Sequence, residues 1–389
     1  MRTGRKFLFA AMLLSVFFGM LLFEVRADAA ELDLSESAES GEISLDGFSE
    51  VVPDEVKDKL PQGMELDDIE SFGKGVEDMT ATSYVFSVIR DIFGSELSGA
   101  IKLFARLMVI IVLGGIFGTL KESFGESAIP LAVRFCTVSA IMALIMQSQY
   151  QLLIRVKEYF EHLNTMMLSM IPITGAAWAI GGNVSTATAG TATMYAFLNI
   201  TQLLFSRTVL PVATMGTCFA FCNGIAPELG TKRISASVRK IYVFLLGGTM
   251  TLFTAMLTAQ TTITAAADST AARTAKFVSS TVIPIVGGSV GDSLRTVAAG
   301  VQYIKSVIGV GGIFLVLLTF LPVLIALLLS RTVFSLSSGM AELFNCKELG
   351  DIIGELSEVY SGVIAAVAMT GVMFILSFFI FIKTTVAIM

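Results

Sequence analysis

Six stretches of this chain contain no Asp, Glu, Lys, Arg or His, and they constrain its fold more than any other feature. Five have 20 to 27 residues and the sixth has 44; they are residues 135–154, 163–206, 208–227, 241–267, 306–330 and 359–382. A helix crosses the hydrocarbon core of a bilayer with about 20 apolar residues. Only 15% of the 389 residues are charged, whereas soluble domains average about 25%. The sequence therefore predicts an all-α, polytopic integral membrane protein.

Residues 1–30 have the pattern of a secretory signal peptide. Arg2, Arg5 and Lys6 precede an apolar stretch over 7–23, and Ala27-Asp28-Ala29 supplies a small-x-small cleavage site. The apolar stretch is long for a signal peptide, so an uncleaved anchor is the alternative. In either case, positive-inside logic places the following segment outside the cytoplasm.

Residues 31–83 form an acidic segment with few large apolar side chains. Between residues 31 and 80 there are 16 acids and three lysines, a charge balance of −13. This composition predicts a solvated, disordered extracytoplasmic segment. The rest of the chain has no basic stripe with interleaved aromatic residues, which argues against nucleic-acid binding.

Three further units follow from the pattern of apolar and charged residues. Residues 84–104 are amphipathic and are expected to form a helix at the membrane interface, in contact with lipid. Residues 105–163 are expected to form a first transmembrane hairpin, with spans over 105–120 and 129–149 and a polar connector over 150–163. The densest basic connector, which holds Lys232, Arg233, Arg239 and Lys240, is expected in the cytoplasm.

Two copies of Ile-Pro-Ile-x-Gly occur 112 residues apart, at 171–175 and 283–287. Proline removes a backbone donor and glycine relaxes the helix, so each copy predicts a break in an apolar helix. Matching broken segments in two halves of a membrane protein are typical of a passage or binding site. Small residues after the first copy fit either the lining of a passage or close helix packing. The candidate positions are Pro172, Gly175, Gly181, Gly182, Asn183, Pro284, Gly287 and Gly288.

Other matches indicate an internal duplication, with repeats over 164–276 and 277–389. Ser206-Arg207-Thr208-Val209 recurs 124 residues later as Ser330-Arg331-Thr332-Val333, and Cys222 and Cys346 keep the same spacing. Arg207 and Arg331 are the candidate structural charges. The predicted architecture is six full spans plus two re-entrant or hairpin segments around the two broken helices, hence six to eight membrane segments.

Four threonines form a polar stripe on a predicted apolar helix. Thr251, Thr254, Thr258 and Thr261 are spaced three, four and three residues apart and therefore share one helix face. This face could line a pore. The alternative is that the hydroxyls bond back to their own helix in a tightly packed interface.

No constellation for catalysis, metal binding or cofactor binding is visible. His162 is the only histidine, and no nucleophile elbow or phosphate-binding loop is present. Cys218 and Cys222 are four residues apart, and apolar packing is favoured over a disulfide or a metal site. Arg106, Lys305 and other charges at the edges of apolar runs are expected to extend to lipid headgroups. The sequence thus predicts a protein that is not an enzyme.

The order of these features resembles the stage III sporulation protein AE family over nearly the whole chain. The resemblance rests on the signal, the acidic segment, the turn around Lys121-Glu122-Ser123-Phe124-Gly125, Met170-Ile171-Pro172 with its small-residue tract, the Pro284 segment and the apolar run 361–389. It implies a multi-pass protein of the mother-cell membrane around the forespore. It further implies an oligomeric channel complex with ATPase-like and ring-forming proteins of the same operon and a forespore-side partner, supporting late forespore gene expression. No catalytic residues are implied.

Three functions remain open on this evidence. The leading hypothesis is a non-enzymatic membrane core of the sporulation channel that lines or scaffolds the passage. The second is a stand-alone secondary transporter for a small solute, which would require a charged residue in the middle of a membrane span. The third is an assembly scaffold with no aqueous lining.

Overall fold

The computed structural model describes residues 48–121, 129–180, 184–225, 233–256, 258 and 287–383, and these contain helices and turns but no strand. The predicted signal peptide lies outside these ranges. Three short helices are followed by seven long ones and a π-helical turn, Gln202–Ser206. They are α1 Phe48–Val51, α2 Asp54–Lys57, α3 Ile69–Thr80, α4 Thr82–Lys121, α5 Ile129–Ile180, α6 Val184–Thr201, α7 Val209–Ile225, α8 233–256, α9 Gly287–Leu343 and α10 Lys347–Lys383. The predicted all-α class is confirmed.

The long helices form an up-and-down bundle. The chain descends through α4, rises through α5, descends through α6 and α7, rises through α8, descends through α9 and rises through α10. The C-terminal ends of α4 and α7, the N-terminal ends of α5 and α8, and the turn between α9 and α10 lie at one end of the bundle, which we call the lower end. There a β-carbon on Gly115 would lie 3.2 Å from the carbonyl oxygen of Phe344, and Leu349 packs against Gly114.

The α9–α10 hairpin lies at the centre of the bundle. Every residue of α9 from 304 to 327 is buried or half-buried. The two helices approach so closely that a β-carbon on Gly309 or Gly312 would overlap Ile382 or the ring of Phe378. A helix that is apolar on all sides is either a membrane span or a protein core, and here other helices cover it.

Several helices are much longer than a bilayer is thick. At about 1.5 Å per residue, the 57 residues of α9 span about 86 Å, against a hydrocarbon core of about 30 Å. Five described segments are long and apolar enough to cross a membrane: Thr82–Ile116, Phe135–Ala177, Leu204–Ile225, Ala299–Leu343 and Lys347–Ile382. The chain is therefore polytopic, and its bundle extends beyond one hydrocarbon core.

The acidic segment, expected to be disordered, is folded over residues 48–80, which we call the acidic cap. Its helix α3 is capped by Asp68, whose side chain accepts a hydrogen bond from the Ser71 amide at 2.7 Å. Phe72 and Met79 are 1% and 0% exposed, and the Phe72 ring lies against Gly311 of α9. Over these residues the expectation was wrong because the few large apolar residues share one face, and α9 offers a surface for them; residues 31–47 of the predicted segment lie outside the described residues.

Two predicted boundaries are absent because single helices run through them. Residues 84–104 are part of α4, which continues without interruption into the predicted span. Residues 150–163 are part of α5, so the predicted connector and the boundary at 163/164 do not exist. The connector is helical because its charged residues share an exposed face, while Leu152, Val156 and Phe160 are buried on the other.

Candidate functional site

Pro172 does not break its helix, contrary to the sequence prediction. The residue lies inside α5, which continues through Gly175 to Ile180. Proline supplies no N–H to the carbonyl of Leu168, but Ile171 and Ile173 are buried on either side. Packing therefore holds the helix together where local propensity disfavours it.

Helix α5 ends at Ile180, beyond the proline, and α6 begins at Val184. Gly181, Gly182 and Asn183 lie in this interval, outside the described residues. The flanking helices pack as a hairpin: the Thr174 hydroxyl lies 3.9 Å from the Met194 sulfur, and the rings of Phe160 and Phe205 stack at 5.9 Å. A hairpin was one of the two predicted forms of this segment, but α5 continues past the proline to Ile180.

The second predicted break is described only in part. Pro284 lies outside the described residues, while Gly287 and Gly288 are the first two residues of α9. Pro322 lies inside α9 and leaves it uninterrupted. Neither Pro172 nor Pro322 is therefore a point where its helix ends.

The threonine stripe faces away from the interior of the chain. Thr251, Thr254 and Thr258 are exposed, whereas Phe253 is 3% exposed. Their hydroxyls donate to the backbone carbonyls four residues earlier at 2.8 to 2.9 Å, as the packing alternative expects. Thr261 lies outside the described residues. Within one chain these three threonines line no interior passage.

Arg207 and Arg331 occupy unlike positions. Both are exposed, but Arg207 follows the π-helical turn, whereas Arg331 lies within the uninterrupted α9. Similarly, Cys222 lies in α7 and Cys346 in the turn after α9. The predicted pairing of these motifs is therefore not a structural equivalence. Among the described residues, the two predicted repeats share a descending helix followed by a rising helix, α7–α8 in one and α9–α10 in the other.

Lys305 is the buried charge that the sequence reasoning missed. It was expected to reach lipid headgroups, but it is 0% exposed, and its ammonium lies 5.7 Å from the centre of the Phe381 ring. Helical register could have found it, because Lys305 is three and seven residues before Ile308 and Gly312, which face inward. Lys305 lies within the candidate span Ala299–Leu343, and an ionisable residue within a membrane span is a functional candidate.

Helix α10 is joined to three other helices by polar links at several heights. Buried polar groups require such partners. The links are Tyr360 Oη to Gln149 Oε1 (2.7 Å), Tyr159 Oη to the Val367 carbonyl (3.2 Å), Asn223 Nδ2 to Glu355 Oε1 (2.7 Å) and Arg239 Nη1 to Glu358 Oε2 (2.5 Å). They tie α5, α7 and α8 to the central hairpin, so α10 fixes the arrangement of the bundle.

The described side chains offer packing and polar links rather than a reaction centre. Within the described ranges no three His, Cys, Asp or Glu residues are placed to hold a metal ion. All four cysteines are free thiols. Burial raises the pKa of the Cys346 thiol, which favours its protonated, unreactive form.

Comparison with known proteins agrees with the predicted resemblance. Residues 67–385 match the family described as Stage III sporulation protein AE. Stage III sporulation protein AE of Bacillus subtilis (strain 168) is 21% identical over 277 residues, which cover 71% of this chain and 69% of that relative. No solved structure matches the chain. The family match begins inside the acidic cap and includes all the long helices.

Proposed function

The chain belongs to the stage III sporulation protein AE family, and from that premise we propose that it is a non-enzymatic core of the mother-cell-to-forespore channel complex. The family supports a role in sporulation. In this proposal the chain lies in the mother-cell membrane around the forespore and lines or scaffolds a passage needed for late forespore gene expression. Its partners are ATPase-like and ring-forming proteins of the same operon and a forespore-side protein.

The observation that carries the proposal is the length of the bundle. A transporter needs helices of about 30 Å to cross the hydrocarbon core, yet α5 with 52 residues extends about 78 Å at 1.5 Å per residue. The excess length supports a protein that projects from one membrane toward a partner on the other side of an intermembrane space.

The distribution of charge supports an orientation for the bundle. The lower end has Lys121, Arg233 and Lys347 at helix ends, beside the acidic side chains of Glu348 and Asp351 in α10, whereas the acidic cap packs nearer the opposite end. Positive charges remain on the cytoplasmic side. The lower end is therefore cytoplasmic in this proposal, and the acidic cap is extracytoplasmic.

Side chains fill the space between α9 and α10 at the centre of the bundle, and this limits where a passage would lie. Leu315, Phe334 and Phe374 are each 0% exposed, so the α9–α10 hairpin leaves no channel between its helices. A passage in this proposal lies between copies of the chain or between the chain and its partners. The exposed threonine stripe of α8 is then the described surface suited to face it.

Cysteine accessibility in the assembled complex tests the lining role. In a variant with all four natural cysteines replaced by serine, single cysteines are placed at Thr251, Thr254 and Thr258, with Leu252 as the control on the same helix. Labelling by a membrane-impermeant maleimide at the threonine positions only is the expected result. Labelling at none of them would exclude the lining role and leave only the scaffold role. Normal late forespore gene expression in a strain that lacks the gene would overturn the whole proposal.

The transporter alternative rests on Lys305, because a buried charge within a candidate span is what ion-coupled carriers use. It predicts solute flux in liposomes that contain this chain alone, and abolition of that flux in Lys305→Met. Absence of flux, together with normal sporulation of the Lys305→Met strain, would eliminate it.

A further inference from the structure

A cavity of about 370 Å³ lies between the acidic cap and the bundle. Helices α1 and α2 with the residues just after them form one side, and the middle portions of α5 and α9 form the other. The apolar lining includes Val52, Val56, Tyr159, Leu318 and Val323. The volume is within the range of small-molecule sites, which combine apolar walls with a few polar groups.

The charged side chains around this cavity leave an excess of carboxylates. Two of the lining charges are neutralised by ion pairs. Lys57 Nζ lies 3.2 Å from Asp54 Oδ1, and the Arg155 guanidinium donates to the Glu96 carboxylate at 2.7 and 3.3 Å. The remaining charged lining residues are Glu50, Glu55 and Glu158 against Lys59. Three carboxylates against one ammonium give a balance of −2.

Arg155 does not convert the cavity into an anion site. Its guanidinium is engaged by both oxygens of Glu96, and two further carboxylates, Glu55 and Glu158, interact with it electrostatically. A bidentate carboxylate satisfies the two most exposed donors of a guanidinium. An incoming anion would therefore meet more negative than positive charge.

On the side formed by α9, Pro322 leaves the Leu318 carbonyl as a hydrogen-bond acceptor. Both Leu318 and Pro322 line the cavity, and proline has no N–H to donate to the carbonyl four residues earlier. The Leu318 carbonyl thus lacks its usual helical donor. Tyr159, whose hydroxyl is bound to the Val367 carbonyl, adds an aromatic ring, and aromatic rings attract cations.

We propose that this cavity binds a small organic cation, an alkylammonium or alkylguanidinium, through Glu55, Glu158 and the Leu318 carbonyl. The alkyl stem lies against Val52 and Val323. The inference does not depend on the sporulation role. Because the cation contacts both cap and bundle, its binding stabilises the docked position of the cap.

Calorimetry on the full chain in detergent tests the chemistry of the site. The probe is n-butylguanidinium chloride, with uncharged N-butylurea and anionic butyrate as comparisons. We expect n-butylguanidinium to bind with a Kd on the order of 1 mM or lower, and the other two at least tenfold more weakly. Equal binding of the urea, or stronger binding of butyrate, would overturn the proposal.

Two pairs of variants locate the bound cation. Loss of a charge-assisted contact weakens binding about tenfold or more, so Glu158→Gln should do so, while Glu161→Gln should not, because that side chain pairs with Lys157 at 3.2 Å outside the cavity. Pro322→Ala restores the helical donor and should also weaken binding, whereas Pro172→Ala in α5 is the matched control. Equal effects within either pair would contradict the assignment.

Hydrogen exchange and a peptide complete the test. Added n-butylguanidinium should slow amide exchange over residues 48–59 in the natural chain and leave it unchanged in Glu158→Gln. Unchanged exchange in both proteins would contradict the proposal that the bound cation stabilises the docked cap. An N-acetylated, C-amidated Gly-Arg-Gly peptide that binds more tightly than n-butylguanidinium would assign the cation to an arginine side chain of a protein. Weaker binding of the peptide would assign it to a free small molecule.

Discussion

The α4–α5 hairpin and the α9–α10 hairpin are both antiparallel and strongly apolar, yet they use their apolar residues differently. Val109, Leu113 and Ile116 of α4 are 49% to 59% exposed. In α9, no residue from 304 to 327 is exposed. The first hairpin therefore presents apolar side chains outward, where lipid can cover them, and the second buries them within the chain. Hydropathy alone assigns the same role to both.

The two apolar regions also lie at different heights. The run 135–154 is centred near Ile145 of α5, but Phe320, near the centre of 306–330, contacts Tyr159 with ring centres 6.4 Å apart. Fourteen residues of helix separate Ile145 from Tyr159, or about 21 Å. At the height of Phe320 the surrounding helices carry Glu96 and Arg155. This part of the central hairpin is thus covered by protein whose outer face is charged.

Fluorescence quenching by brominated lipids should give the largest contrast. In a Trp178→Phe background, Leu113→Trp should be strongly quenched because residue 113 faces outward at a lipid-exposed height. Phe320→Trp should be quenched little, since Phe320 is 8% exposed within the chain. Equal quenching at the two positions would abolish the distinction between the hairpins.

Removing the Phe72 ring should cause the largest loss of stability. Phe72→Ala deletes a side chain that is 1% exposed and should lower the free energy of unfolding of the docked cap by about 3 kcal/mol or more. Limited proteolysis of the full chain in detergent measures cap opening. Phe86→Ala, at a position that is 70% exposed, is the control and should change it by less than about 0.5 kcal/mol. Similar protease resistance of Phe72→Ala and the natural chain would contradict a packed cap.

Adding one methyl group between α9 and α10 should have a smaller but clear effect. Gly312→Ala places a β-carbon into the Phe378 ring and should cost about 1–3 kcal/mol by overpacking. Gly300→Ala, on the same helix with nothing within 4 Å, should be neutral or stabilising by up to about 1 kcal/mol. Thermal unfolding in detergent compares them, and a stabilised Gly312→Ala would refute the close central contact.

The Glu96–Arg155 ion pair, at the height of Phe320, is expected to contribute less to the free energy of unfolding. Glu96→Gln removes the partner of Arg155, and these side chains are 20% and 34% exposed. We expect a loss of about 1 kcal/mol, since solvent screens part of the interaction. The loss should shrink in 1 M salt if the pair is in contact with water. A salt-independent loss would mean that this height is sealed from water.

The smallest expected effect is on the reactivity of the Cys346 thiol, in the turn at the lower end of the central hairpin. Burial, and secondarily Glu348, raises the pKa of the Cys346 thiol, so less thiolate is present at a given pH. In a chain whose other cysteines are serine, Glu348→Gln should lower this pKa and speed iodoacetamide alkylation at pH 8, as followed by mass spectrometry. Glu342→Gln is the control. An unchanged or slower rate in Glu348→Gln would show that the carboxylate does not act on the thiol.

The charge-free runs predicted the helices well because a helix needs only a local pattern. They could not predict the folded cap, since Phe72 is buried by Gly311, 239 residues later in the chain. Nor could they predict that Pro172 and Pro322 lie inside helices, because tertiary packing outweighs the loss of one hydrogen bond there. Lys305 was misassigned for a related reason: a position at the edge of an apolar run does not reveal which face of the helix meets a neighbour.

The polar links along α10 have a mechanical consequence. The helix has 37 residues and is uninterrupted, and its attachments to α5, α7 and α8 are distributed from Glu355 to Val367. A stiff rod held at several heights transmits a push or a twist rather than absorbing it. We therefore expect a displacement of Glu355, in the acidic lower turns, to reach Phe381 and its neighbour Lys305, about 39 Å higher at 1.5 Å per residue.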